Sequence, residues 1–438
     1  MKDKIRIGCG AGFSGDRMEP SLILAQKAKL DYLVLECLAE RTIALAQKRK
    51  IHDPSSGYDP LLERRISLLL DTLAQNKICL ITNMGAANPL AAAKKIVELA
   101  SKKNISLKVA AITGDDVLNS IDLNGRILET GLPLHSIKKV VSANAYLGIE
   151  GILDALGRGA DIIVTGRVAD PSLFLAPMVH SFGWALDNYT LAARGTVIGH
   201  LMECAGQITG GYFADPGKKD VPGISNLGHP FVDVFPDGSA SISKVAGTGG
   251  VINLQTAKEQ LLYEVINPHA YYTPDVIADF TSVTLTQVDD NVIGITGGDG
   301  NEKPRTYKVS VGYHAFFLGE GEITYAGPNA LERAKLAGEV VIERLKDEFP
   351  EIKVDFIGHS SVHGNKISVP SAPYEIRLRI SGKADSASKA ARIGEEVEAL
   401  YTNGPAGGGG VRKFSTEVVG IVSTLIDRVK AKYTVTMF

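Results

Sequence analysis

Cysteine is scarce and scattered in this chain. Only Cys9, Cys37, Cys79 and Cys204 occur in 438 residues. No Cys-x-x-Cys pair is among them, so neither a zinc knuckle nor a dithiol redox motif is expected, and a reducing, cytoplasmic compartment is. Long apolar runs are missing too. Nothing approaches the ~20 residues of a membrane span, and the opening MKDKIRIGCG lacks the apolar core of a signal peptide. A charge excess of either sign is also absent. With 47 Lys and Arg against 49 Asp and Glu, the net charge is −2. That gives no electrostatic ground for nucleic acid or an anionic membrane as partner. The two glycine clusters of the C-terminal half lack a Gly-Lys-Ser/Thr ending, so P-loop ATP hydrolysis is not expected.

What is plentiful is glycine, 46 residues, clustered just after apolar runs, where it shapes loops for close backbone approach. Residues 160–180, ADIIVTGRVADPSLFLAPMVH, show this best. Residues 162–165 read as a buried parallel strand, and Gly166, Arg167, Ala169, Asp170 and Pro171 follow at once. Strand, polar glycine loop and helix recur through the N-terminal half. Strands are expected at residues 5–9, 32–35, 78–82 and 107–112, and helices at 20–29, 61–75, 89–103, 150–156 and 190–209. The pattern implies a parallel sheet with right-handed crossovers. Ligands in such folds sit beyond the carboxyl ends of the strands. Near residue 215 the chain turns Pro-, Gly- and Lys-rich, which suggests a boundary. Beyond it come a hairpin around Pro236-Asp237-Gly238, strands at 281–288, 291–296, 306–313, 315–324, 354–357 and 374–381, and helices at 251–265, 328–346 and 384–401. Residues 418–438 fit a helix or two strands. The expected fold class is α/β: a mostly parallel N-terminal sheet with helices on both faces (residues 1–215), followed by an α+β C-terminal domain with a mixed sheet (216–438) covering part of the crevice.

The candidate residues follow from strand ends. Thr165, Gly166, Arg167 and Asp170 lead: arginine grips carboxylate or phosphate with a planar fork, and Asp170 can orient it or act as a base. A purely structural Arg167–Asp170 ion pair is the alternative. His200 and Glu203 are expected on one helix face with Gln207. A glutamate facing an apolar crevice can act as general base, whereas a solvated glutamate beside a core histidine would not. Asn83, Gly85 and Asn88, and Thr113, Asp115 and Asp116, can bind a carbonyl or oxyanion or serve as turn and cap residues. Gly10, Gly12 and Gly15 match a dinucleotide fingerprint, with Asp16 and Arg17 closing the loop and Glu36 as the only acid suitably placed for a ribose. A tight turn explains the same glycines. Gly247, Thr248 and Gly249 before a helix, and the glycines 407–410 with Arg412, are possible anion cradles or simple turns. A metal would need a third ligand beside His200 and Glu203, and the sequence does not designate one.

The segments RIGCGAGFSGDR, ITNMGAANP, VTGRVADPSL, HLMECAGQITGGYFADPG and LYTNGPAGGGGVRK together resemble the acyclic terpene utilisation family, in the same order and over nearly the whole chain. The resemblance implies a place in the breakdown of terpenoid alcohols and acids through acyl-CoA intermediates. Longer members continue into an extra C-terminal domain of about a hundred residues. The resemblance therefore implies a separate small protein as a possible partner, if that domain is not simply absent. The leading functional expectation is an enzyme of lyase, hydratase or isomerase type acting on a carboxylic acid or acyl-CoA, with Asp170 or Glu203 as base. No cofactor is required by sequence, and CoA would enter as part of the substrate. A non-catalytic subunit that binds an acyl ligand or organises a pathway complex is the alternative, and a nicotinamide-dependent oxidoreductase a weaker one. Tyr433, Val435, Met437 and Phe438 alternate with threonines. Such an apolar terminal strand needs a sheet or a partner to cover it, and a homo-oligomer is expected.

Overall fold

The computed structural model describes residues 2–364 and 373–438. These divide into two compact units: residues 1–312 with 421–438, and residues 313–420.

In the first unit the opening strands are β1 (Ile5–Ala11), β2 (Tyr32–Leu35), β3 (Cys79–Thr82), β4 (Val109–Thr113), β5 (Val140–Ala145) and β6 (Ile162–Thr165). Its helices are α1 (Glu19–Lys27), α2 (Glu40–His52), α3 (Leu62–Asn76), α4 (Pro89–Lys102), α5 (Glu150–Gly157), α6 (Ser172–Phe182), α7 (Tyr189–Glu203) and α8 (Leu254–Leu262). The order β1-β2-β3-β6-β4 is parallel throughout. β2 and β6 (YLVL and IIVT) are buried at every position, the signature of strands covered on both faces. Leu33, Leu35, Leu80, Val109 and Val164 share a core with α1, α3 and α4. α6 and α7 pack on β1 from the other face. Each fully buried Leu or Ile here contributes roughly 1.5–3 kcal/mol. α4 starts where the sequence says it should: Pro89 fills its first turn and Asn88 Oδ1 accepts from Ala91 N at 3.3 Å.

The sheet does not end at residue 215. β7 (Pro230–Val234) pairs antiparallel with β1, and β8 (Ala240–Lys244) pairs with β7. After the short strands β9 (Tyr271–Tyr272) and β10 (Ile277–Asp279) come β11 (Thr284–Asp289) and β12 (Val292–Thr296), which extend the same sheet. β13 (Asp299–Asn301) joins β9 and β10 in a separate three-stranded sheet. The compact units thus divide at 312/313, because the hairpin expected to open a new domain adds to the old sheet's edge.

Residues expected as two strands, 306–313 and 315–324, form one, β14 (Thr306–Ala326). In the second unit α9 (Ala330–Leu345), β15 (Ile352–Ile357), β16 (Glu375–Ala384), α10 (Ala387–Asn403) and β17 (Gly409–Asp427) follow, with sheet order β15-β16-β14-β17. Ile323, Ile376, Leu378 and Ile380 bury one sheet face against α9 and α10, a ferredoxin-like βαββαβ plan. The ambiguous end of the chain is strand. β18 (Thr434–Met437) pairs antiparallel with β4, Val435 opposite Ile112. The alternating terminal strand is therefore covered along one edge by its own sheet. No helix among the described residues is long and apolar enough to cross a membrane.

Candidate active site

The loops after β1, β2, β3, β4 and β6 leave from the same ends of parallel strands, and a cleft of about 740 Å³ opens there in the first unit. Gly12, Glu36, Glu40, Tyr146, Arg167, Asp170, Glu203, Cys204, Tyr263, Glu264, Tyr271 and Lys308 are among its lining residues.

Arg167 is the hub. Its side chain is 2% exposed. Nη1 donates to Leu38 O and Nη2 to Asp170 Oδ1 at 2.9 Å. The guanidinium lies 4.0 Å from the centroid of the Tyr146 ring. Burial alone would weaken its charge, but Asp170, Tyr146, Glu40 and Glu36 raise its pKa above the ordinary value. Both terminal nitrogens are thus committed to protein partners, and the side chain holds Asp170 instead of gripping a ligand, while the buried Nε has no partner among the described residues. Gly166 lets this loop lie against Asp115: a Cβ there would stand 2.4 Å from Asp115 Oδ1. Asp115 Oδ2 accepts from Arg167 N and from Asn144 Nδ2, each at 2.9 Å. Burial pushes Asp115 up to about 6 against those bonds.

The carboxyls around the hub are driven apart. Desolvation opposes ionisation of Glu40, but Arg167 and the Tyr146 hydroxyl bring it down to about 2. Desolvation raises Asp170 to about 7 despite Arg167, with Glu203 and Glu40 adding to the rise. Burial and the Asp170 charge raise Glu36 well above the carboxylate range. Burial also raises Glu203, opposed by His200, whose Nδ1 lies 3.0 Å from Glu203 Oε1. The His200 ring packs against Tyr271 and Phe280, with centroids 5.4 and 5.5 Å away. Lys308 stands 5.0 Å over the Tyr146 ring and 3.4 Å from Glu40.

Of the sequence candidates, Gly12, Arg167, Asp170 and Glu203 line the cleft, and His200 backs Glu203. α7 ends at Glu203, so Gln207 falls in a following turn (Ala205–Gln207) and not on the same helix. Asn83 sits behind the cleft wall, Oδ1 accepting from Cys37 N at 2.7 Å and Nδ2 donating to Glu36 Oε1 at 2.9 Å. The remaining candidates are structural. Gly10 and Gly85 are pressed against Leu35 and Thr165 O, and Gly10 O faces His229 Nδ1 at 3.1 Å. Asp16 Oδ2 accepts from Gly12 N at 2.6 Å, closing a turn, and Arg17 reaches Ser225 O on the surface. Asn88 caps α4, Asp116 accepts from Gln47 at 3.0 Å, Thr113 pairs with β18, and Thr165 Oγ1 donates to Gly166 O. Gly247, Thr248 and Gly249 do not open a helix, since α8 starts at Leu254 under an Asn253 cap. They form a turn in which Gly249 N bonds to Asn226 O. Arg412 is exposed on β17 in the second unit, so the glycines before it begin a strand and do not cradle an anion at a helix start.

Sequence reasoning missed Glu40, Tyr146, Tyr271 and Lys308 altogether and gave Glu36 a different role. Glu36 carried a signal, as the first polar residue after YLVL. The others come from separate elements and carried none. Arg65 was also missed: buried on α3, it donates Nη2 to Ser14 O and Asp16 O at 2.8 and 2.6 Å and so fixes the loop that carries Gly12. Among the described residues no three His, Cys, Asp or Glu side chains are arranged to hold a metal ion.

Against known proteins, the profile of "Acyclic terpene utilisation family protein AtuA" matches residues 5–437. No curated protein and no solved structure matched.

Proposed function

The chain belongs to the acyclic terpene utilisation family, and from that premise we propose that it is an enzyme of lyase, hydratase or isomerase type that moves a proton at the carbon next to a carbonyl, in an organic acid or its CoA thioester. The observation that carries this reading is the group of carboxyls around Arg167, held at opposite ends of the acid scale in one cleft. Splitting titratable groups in this way is how a site assigns acid and base roles. Asp170 is the base. Arg167 fixes Oδ1, Oδ2 has no hydrogen-bond partner among the described residues, and its raised pKa suits proton transfer near neutrality. In the step, the C–H bond breaks, its proton goes to the Asp170 carboxylate, and the electron pair enters the new C=C bond as the carbonyl π pair moves onto oxygen. The His200–Glu203 pair lies at the cleft wall as the second carboxyl, and Lys308 at the rim offers a cation for an anionic group.

The test is deuterium wash-in. Unsaturated and hydroxy acyl-CoAs and their free acids are incubated with the enzyme in D2O and read by mass spectrometry. Incorporation is expected with at least one of them, with a rate that rises as pH passes about 7 and Asp170 loses its proton. Asp170→Asn should lower that rate by roughly 10²–10⁴-fold. Binding without any incorporation would defeat the proposal and leave a non-catalytic acyl-binding subunit.

A further inference from the structure

Glu36 closes β2 at the floor of the cleft, and the geometry of its two oxygens is unequal. Oε1 accepts from Leu38 N at 2.8 Å and from Asn83 Nδ2 at 2.9 Å. Asn83 is itself fixed by Cys37 N, so this arrangement is built and not incidental. A carboxyl oxygen has two lone pairs, and both on Oε1 are taken. Oε2 bonds to no described residue. We propose that Glu36 is a neutral carboxylic acid whose Oε2–H donates a hydrogen bond into the cleft, and that the ligand it receives presents a carbonyl oxygen, as a thioester or an unsaturated acid does.

Three observations support the neutral form. Glu36 is 7% exposed, and a carboxylate so buried with no ion pair of its own is costly. The cation that acts on it, Arg167, directs its Nη donors to Leu38 O and Asp170 and gives Glu36 no hydrogen bond. Cys9 on β1, Cys37 just after β2 and Cys204 after α7 also face Glu36, all thiols kept protonated by burial, and Glu40 and Glu203 line the same cleft. Asp170 and Arg167 are full charges acting on Glu36 in opposite senses, and the Asp170 effect is the larger. Burial and Asp170 accordingly hold the Glu36 proton on. An acid held neutral in this way is suited to stabilise a developing oxyanion. This inference rests on the proton-transfer reading for its use in catalysis, but not for the protonation state itself.

Infrared difference spectroscopy separates the two. The C=O stretch of a protonated carboxyl should be present at pH 7 in the wild-type minus Glu36→Gln difference spectrum, in which the bands of Asp170 and Glu203 cancel. That variant keeps an Oε1 acceptor for Leu38 and Asn83 and so preserves the fold. The probes are crotonyl-CoA and crotonate labelled with ¹³C at the carbonyl. On binding, the carboxyl band should shift and the ¹³C=O stretch should fall in frequency. The fall should be smaller in Glu36→Gln, whose amide donates more weakly, and lost in Glu36→Leu. A missing carboxyl band at pH 7, an equal carbonyl shift in all three proteins, or failure of both probes to bind would overturn the proposal. A band and shift without deuterium wash-in would defeat only the catalytic reading; wash-in without the band would defeat only this one.

Discussion

Replacing Arg167 by methionine keeps the side-chain stem but removes the charge at the hub of the cleft. The structure sets the size of the effect. Leu38 O loses its donor, worth about 1 kcal/mol net. The stacking on Tyr146 at 4.0 Å is lost, worth about 1–2 kcal/mol when desolvated. The Asp170 carboxylate is left without its cation and Glu40 keeps Lys308 at 3.4 Å, and breaking a buried ion pair costs roughly 3–5 kcal/mol. Asp170 relieves part of that by staying protonated, so we expect a total near 3–5 kcal/mol at pH 8. The loss should depend on pH. In the wild type Glu40 titrates at about 2 against an ordinary 4.5, so its stabilisation is complete above about 4.5 and fades as pH falls toward 2. The full shift would be worth about 3.4 kcal/mol. Because the Glu40 side chain is 40% exposed, screening reduces that to roughly 1–2 kcal/mol. Tyr146 and Lys308 share that shift and part of it persists at pH 3, so the cost of Arg167→Met should shrink by roughly 1 kcal/mol between pH 8 and pH 3. Trp184, the only tryptophan of the chain, is buried in the first unit, with Nε1 donating to Pro236 O at 2.9 Å. Its fluorescence in urea titrations reports the relevant unit. A loss under about 1 kcal/mol at pH 8, or one identical at the two pH values, would refute the hub.

Two further outcomes can be checked. A Cβ on Gly12 would stand 2.5 Å from the Cys204 carbonyl carbon and 2.8 Å from Glu203 O, so Gly12→Ala should cost about 1–3 kcal/mol and slow deuterium wash-in by displacing Glu203. Gly157→Ala, which meets nothing within 4 Å on α5, should do neither, and equal melting temperatures for Gly12→Ala and wild type would contradict the contact. Burial raises all four thiols, Cys79 to about 12. Iodoacetamide at pH 8 should leave the folded protein unmodified and alkylate every cysteine in urea, and stoichiometric labelling of native Cys204 would show the cleft wall to be looser than described.

The parallel sheet was legible because each strand carries its own signal. YLVL and IIVT are apolar at every position, and each is followed at once by the polar residues that stand at the cleft. Helix α2 escaped notice because its buried face is Ile43, Ala44, Ala46 and Gln47, too weak an apolar stripe to show a period of 3.6. The hairpin at Pro236-Asp237-Gly238 was readable as a hairpin, but its partner was not. The same alternation serves a strand that starts a new sheet and one that joins the edge of an old one. β1 alone decides the matter, by offering its free edge to β7.

The site was legible in its positions and not in its roles. Arg167 at the end of β6 was evident, and an arginine at a strand end suggests a grip on a ligand. Its role turns on where the five donors go, and Leu38 O and Asp170 lie 129 and 3 residues away in sequence. The same holds for the acids. Glu36, Glu40 and Asp170 are chemically near-equivalent in a sequence, yet Glu40 is held ionised to about 2, Asp170 rises to about 7, and Glu36 keeps its proton. The differences come from what surrounds each group: Arg167 and the Tyr146 hydroxyl win over burial at Glu40, burial wins over the shared guanidinium at Asp170, and burial with the Asp170 charge wins over two N–H donors at Glu36. None of these contacts has a sequence spacing that marks it. A cleft that sorts its carboxyls by what touches each oxygen can assign base and hydrogen-bond donor from the same residue type, and only the folded chain distinguishes them.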